Sequence, residues 1–158
     1  MLSGGIGMLK KFVSSILCVL LLAGCGATSA GSAVSAEKEA EQIVSELGLS
    51  DKITQMDERV VKGLFFFEEG LVEDAKLYMD STNQNPDLVG VFKTSDPDAV
   101  KKKVDDYLVT LKETTQMYNP DAVFKIDNAI VKEGADQVVV IVADDIEKAN
   151  KVVESLVK

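Results

Sequence analysis

The chain has 158 residues, 46% of them hydrophobic and 27% charged, which is the content of one globular domain with a short appendage and leaves no room for a second full domain. Lys and Arg number 17 against 26 Asp and Glu, a net charge of −9, so the surface is acidic and the balance argues against nucleic acid as a partner. Histidine is absent, which removes the commonest general base near neutral pH and the commonest transition-metal ligand.

Lys10 and Lys11 precede Phe12 to Leu22, a charged start followed by a short apolar run. That is the anatomy of a secretory signal. Small and polar residues from Gly24 onward end the run well before the roughly 20 apolar residues that a membrane-spanning helix needs. Leu22-Ala23-Gly24-Cys25 resembles the lipobox of bacterial lipoproteins: an apolar residue, two small ones, then the cysteine that becomes the mature N-terminus. By that resemblance Cys25 carries a diacylglyceryl thioether, and the acyl chains anchor the protein to the extracytoplasmic face of the cell membrane. Cleavage before Cys25 removes Lys10 and Lys11, leaving 15 basic residues against 26 acidic ones, or −11. The other cysteine, Cys18, lies in the signal, so no disulfide is expected in the folded body. Residues 25–35 are small and flexible and read as a tether, and residues 36–158 read as a single α+β domain.

Within that domain, Ala36, Ala40, Ile43, Val44 and Leu47 recur at helical spacing, with Ser35 as cap and Gly48 as stop. A second helix runs from Asp57 through Val60, Val61 and Leu64 to Phe65-Phe66-Phe67. Residues 73–80 alternate as a half-buried strand does, with Ala75, Leu77 and Met79 on one side. Ser81 to Asp87 is dense in turn formers, so Leu88 to Lys93 returns as the second strand of a hairpin. Asp96-Pro97 opens the longest helix, whose apolar stripe is Val100, Val104, Tyr107, Leu108, Leu111 and Tyr118, and Asn119-Pro120 stops it. Ala129-Ile130-Val131 and Gln137 to Val142 pair across the turn Glu133 to Asp136, and the second of these is a central strand covered on both faces. A closing helix begins at Asp144 or Asp145 and turns Ile146, Ala149, Val152, Val153 and Leu156 inward. The order ααββαββα predicts a four-stranded, mainly antiparallel sheet with a ββαββα core and helices packed on one face.

Several of these features together resemble the bacterial lipoprotein-associated family called domain of unknown function 4358, over roughly residues 38–158. They are the Asp57-Glu58 helix opening, the strand ending at Tyr78-Met79, and Val91-Phe92-Lys93 with the Asp96-capped helix after it. Tyr118-Asn119-Pro120 and Val140-Ile141-Val142 before Asp144-Asp145 complete the set. The resemblance implies an exported, anchored α+β domain and brings no catalytic residues with it.

Glu68, Glu69, Glu73 and Asp74 crowd around Gly70, and Asp80 to Asp87 is rich in oxygen ligands, but the ordered spacing of a calcium loop is absent from both. A solvated turn and an ordinary hairpin loop account for them, and no metal or other cofactor is expected. Asp144-Asp145 are explained by capping, while Asp105-Asp106 and Lys101 to Lys103 are solvated helix faces. Without histidine and without a supported Ser-x-x-Lys, no catalytic constellation assembles and no enzyme is expected. Phe65, Phe66 and Phe67 cannot all enter the core from one short element, which marks them as the best candidate interaction surface. The competing account has the helix end there and send successive rings into different parts of the core. The expectation is a non-enzymatic envelope module that binds another envelope protein or a cell-wall component. The alternative is a small-molecule or cation-binding lipoprotein accessory to a transporter.

Overall fold

The computed structural model describes residues 34–82 and 84–157. The chain divides into two units, Met1–Ser32 and Ala33–Lys158, and the described residues belong to the second. Its elements in chain order are α1 (Ala36–Leu47), β1 (Thr54–Gln55), α2 (Glu58–Phe65), β2 (Asp74–Met79), β3 (Leu88–Lys93) and α3 (Pro97–Tyr118). A 3-10 turn (Pro120–Ala122), α4 (Val123–Asp127), β4 (Ile130–Glu133), β5 (Gln137–Val142) and α5 (Ile146–Leu156) follow. The helix starts are those expected from local chemistry: the side chains of Ser35, Asp57, Asp96 and Asp145 each accept a backbone N–H from the first turn of their helix. Gly48 closes α1 in the left-handed conformation at φ 70°, its N–H returned to the helix carbonyls.

The sheet is antiparallel throughout, in the order β1-β2-β3-β5-β4. The expected four strands become five because Thr54–Gln55 pairs with Met79 and Tyr78 at the edge. Two residues are too few to display a period of two, so nothing in the pattern marked them. The expectation that the helices cover one face is also corrected. Val89 and Val91 of β3 and Val139 and Ile141 of β5 pack under α1 and α5. Leu88, Phe92, Val138, Val140 and Val142 pack on the opposite side with Val61 and Phe65 of α2, Val100, Val104 and Tyr107 of α3, and Ile126 of α4. Strands apolar on both alternating sets have two faces to remove from water, so helices cover both, and the domain is a three-layer α+β sandwich. All six residues of β5 are buried, as a central strand requires.

Two further differences bear on the site. Asn119-Pro120 ends α3, but the chain continues helically through the 3-10 turn into α4, which is five residues long and again too short to show a period. Tyr118, placed by spacing on the buried stripe of α3, is exposed, whereas Val100, Val104, Tyr107 and Thr115 are the buried residues of that helix.

Candidate functional site

The run Phe65-Phe66-Phe67 separates into three environments. Phe65 is the last residue of α2 and is fully buried, with its ring 5.0 Å from Phe92 and 4.6 Å from Tyr107. Phe66 then adopts φ 50°, ψ 44°, the left-handed conformation that usually falls to glycine at a helix end. That reversal returns Phe67 to the same ring cluster, stacked on Phe65 at 5.2 Å and 8° and edge-on to Phe92. The ring of Phe66 is turned out, 76% exposed, beside a cavity of about 150 Å³ lined by Leu64, Lys103, Asp106 and Thr110 among others. The expected three-residue surface is therefore corrected: Phe65 is core, Phe67 is half-buried against it at the edge of a second cavity, and Phe66 is the ring of the three that is exposed. The Tyr107 hydroxyl in this cluster has its pKa pushed up to about 12 by burial, so it remains a neutral phenol.

A second feature lies where the β2–β3 loop meets the C-terminal end of α3. Asp80 directly follows β2, and its carboxylate accepts the Thr82 N–H at 2.8 Å, the Thr82 hydroxyl at 2.7 Å and the Asn85 N–H at 2.9 Å. Burial alone would raise the Asp80 pKa, but these hydrogen bonds outweigh it and hold the carboxyl below its ordinary value. Asn119 Nδ2 donates to the Gln84 carbonyl at 2.7 Å, joining the helix end to the loop. Between them lies a cleft of about 910 Å³ lined by Thr82, Gln84, Asn85, Thr114, Tyr118 and Asn119. The loop's sequence is rich in oxygen ligands, but only the fold brings Tyr118 and Asn119 to face it across a cavity.

Of the acidic residues around Gly70, Glu68, Glu69 and Glu73 line one cavity of about 330 Å³, while Asp74 is turned away from it. Glu68 pairs with Lys103 at 2.7 Å, and that hydrogen bond holds its carboxyl below the usual range. Asp74 Oδ2 accepts the Ala36 N–H at 2.8 Å on the other side of the sheet. Among the described residues no group of three or more acidic or thiol side chains is placed to hold a metal ion. Asp144 and Asp145 also part company. Asp145 caps α5 as expected, but Asp144 is an ion-pair partner rather than a cap: its Oδ1 lies 2.9 Å from Lys125 Nζ and its Oδ2 lies 3.7 Å from Lys52. Lys125 also binds Asp87 at 2.9 Å, with both side chains buried. Burial would lower the Lys125 pKa, yet hydrogen bonds to Asp87 and Asp144 more than offset this and raise it, so the ammonium stays charged.

A second buried charge was hidden in the Glu-rich helix. Glu39 faces the sheet, where Lys93 Nζ donates to it at 2.6 Å and Gln137 Nε2 at 2.9 Å, while Lys93 also donates to Gln137 Oε1. Lys93 and Gln137 are register partners across β3 and β5, which places both under α1. Every polar atom of the set is satisfied, so it reads as a docking contact that orients α1 on the sheet.

Leu22, Ala23, Gly24 and Cys25, the lipidation and cleavage residues expected from sequence, lie outside the described residues. No helix among the described residues is long and apolar enough to cross a membrane.

The fold is thus a small α+β domain with an antiparallel sheet between two helical layers. The model of the family described as domain of unknown function (DUF4358) matches residues 45–143, from the last turn of α1 through β5, and the chain belongs to that family. No curated protein and no solved structure matches the chain.

Proposed function

We propose that this protein is a membrane-anchored extracytoplasmic lipoprotein whose domain is a non-enzymatic binding or interaction module of the cell envelope. The anchor rests on Leu22-Ala23-Gly24-Cys25 and the charged and apolar run before it. The observation that carries the binding role is Phe66. A bulky residue held at φ 50° costs roughly 1–3 kcal/mol of backbone strain, and here it places an apolar ring in water. The left-handed turn serves the fold by ending α2 and returning Phe67 to the ring cluster, but exposure of the Phe66 ring does not, and a partner that covers the ring supplies a reason for it. The surrounding Lys103, Asp106 and Thr110 form a polar rim about it, the usual surround of a buried anchor at an interface.

Two measurements test this. Intact mass of the protein recovered from membranes shows a lipid-sized increment that disappears in Cys25→Ala; an unmodified, soluble wild type defeats the anchor. Cross-linking in intact cells yields an adduct that Phe66→Ser loses at unchanged thermal stability. An adduct that survives Phe66→Ser assigns the partner surface elsewhere.

A further inference from the structure

The cleft between the β2–β3 loop and the end of α3 has an unusual lining for this protein. In a chain that is 27% charged, none of Thr82, Gln84, Asn85, Thr114, Tyr118 and Asn119 carries a charge. An anionic ligand would call for lysine or arginine there, and a cation for carboxylates. Among the described residues, what lines the cleft is amides, hydroxyls and the ring of Tyr118, which is 78% exposed. A side-chain amide donates and accepts at once, which suits the paired hydroxyls of a sugar. An aromatic ring with its electron-rich face open suits the C–H face of a pyranose. Among the described residues, the side-chain amides of Gln84 and Asn85 and the Tyr118 hydroxyl make no hydrogen bond in the cleft.

The described residues of the loop are also tied down. Asp80 holds the loop from within through Thr82 and Asn85, and the bond from Asn119 to the Gln84 carbonyl ties loop to helix. Such preorganisation lowers the ordering entropy that a ligand must overcome. The volume, about 910 Å³, is at the upper end of small-molecule sites and accommodates a short oligosaccharide.

We infer that this cleft binds a neutral saccharide chain, with Tyr118 as the stacking platform and Gln84 and Asn85 reading the hydroxyls. The inference deepens the envelope-module reading and rests on it for the source of the glycan. The saccharide chemistry itself depends only on the cleft.

The test titrates the full chain, taken from whichever cell fraction carries it, with chitotetraose and with cellotetraose by calorimetry. The expected result is saturable binding to at least one of them. Tyr118→Ala weakens that binding by about tenfold or more, Tyr118→Phe retains most of it, and Gln84→Ala weakens it at unchanged melting temperature. Absence of saturable binding to both probes at millimolar concentration overturns the inference, as does binding that Tyr118→Ala leaves intact. A protein adduct lost in Phe66→Ser while neither sugar binds also overturns it, and leaves the interaction-module reading standing.

Discussion

Replacing two adjacent phenylalanines tests the division of the Phe65-Phe66-Phe67 run, because the consequences for stability differ by several kcal/mol. Phe65 is 1% exposed and contacts three other aromatic rings. Phe65→Ala removes that burial and leaves a cavity, a loss of about 3–5 kcal/mol, against a total domain stability of roughly 5–15 kcal/mol. Phe66 is 76% exposed, so only about a quarter of its surface is at stake, on the order of 50 Å² or ~1 kcal/mol. Phe66→Gly forfeits that packing but relieves the left-handed backbone, worth roughly 1–3 kcal/mol, while the freer unfolded chain takes back about 0.4–1 kcal/mol. The three contributions nearly cancel, and Phe66→Gly lies within ~1 kcal/mol of wild type. Denaturant midpoints of the full chain, with slopes compared to establish that the same surface unfolds, measure both variants. A loss for Phe66→Gly as large as that for Phe65→Ala would refute the reasoning, since it would mean that the Phe66 ring is packed.

Three further predictions concern the scaffold that holds the site. In Gly90→Ala the new Cβ would stand 2.8 Å from Val140 Cγ1 and 2.9 Å from Phe92 Cζ, so overpacking of about 1–3 kcal/mol lowers the melting temperature, and a rise would contradict the close approach. Lys125→Met strands the buried Asp87 carboxylate and destabilises the fold by about 3–5 kcal/mol; adding Asp87→Leu recovers most of that, and a double variant no better than the single one rules out the buried pair. Asp80 has a folded-state pKa below the roughly 3.9 of an unfolded aspartate, so its contribution is present above about pH 4 and is lost as pH falls through the folded value. Between pH 7 and pH 3, wild type therefore loses more stability than Asp80→Asn in urea titrations, and equal losses would remove the carboxylate from the loop's support.

How far the fold and the site could be read in advance follows from the range of the forces involved. Helix caps at Ser35, Asp57, Asp96 and Asp145, the Gly48 stop, the alternation of β2 and the apolar run of β5 act over a few residues, and they were legible in the chain alone. The lipobox-like motif around Cys25 is equally local, and the matched span places the domain in its family. β1 and α4 escaped because two and five residues cannot display a period.

The contacts that define the candidate sites join residues far apart in sequence, and only tertiary packing decided them. Glu39 meets Gln137 across 98 positions, Lys125 meets Asp87 across 38, and Asn119 meets Gln84 across 35. A local pattern assigns a glutamate in a Glu-rich helix or a lysine near a turn to solvent, because isolated charges are costly to bury. Register and helix docking supply the partners that make burial tolerable, as Lys93 and Gln137 do for Glu39. The same holds for the aromatics: composition marked three phenylalanines and Tyr118 as apolar. Which rings pack and which face water was set by one left-handed residue at the end of α2 and by the turn of the chain after α3.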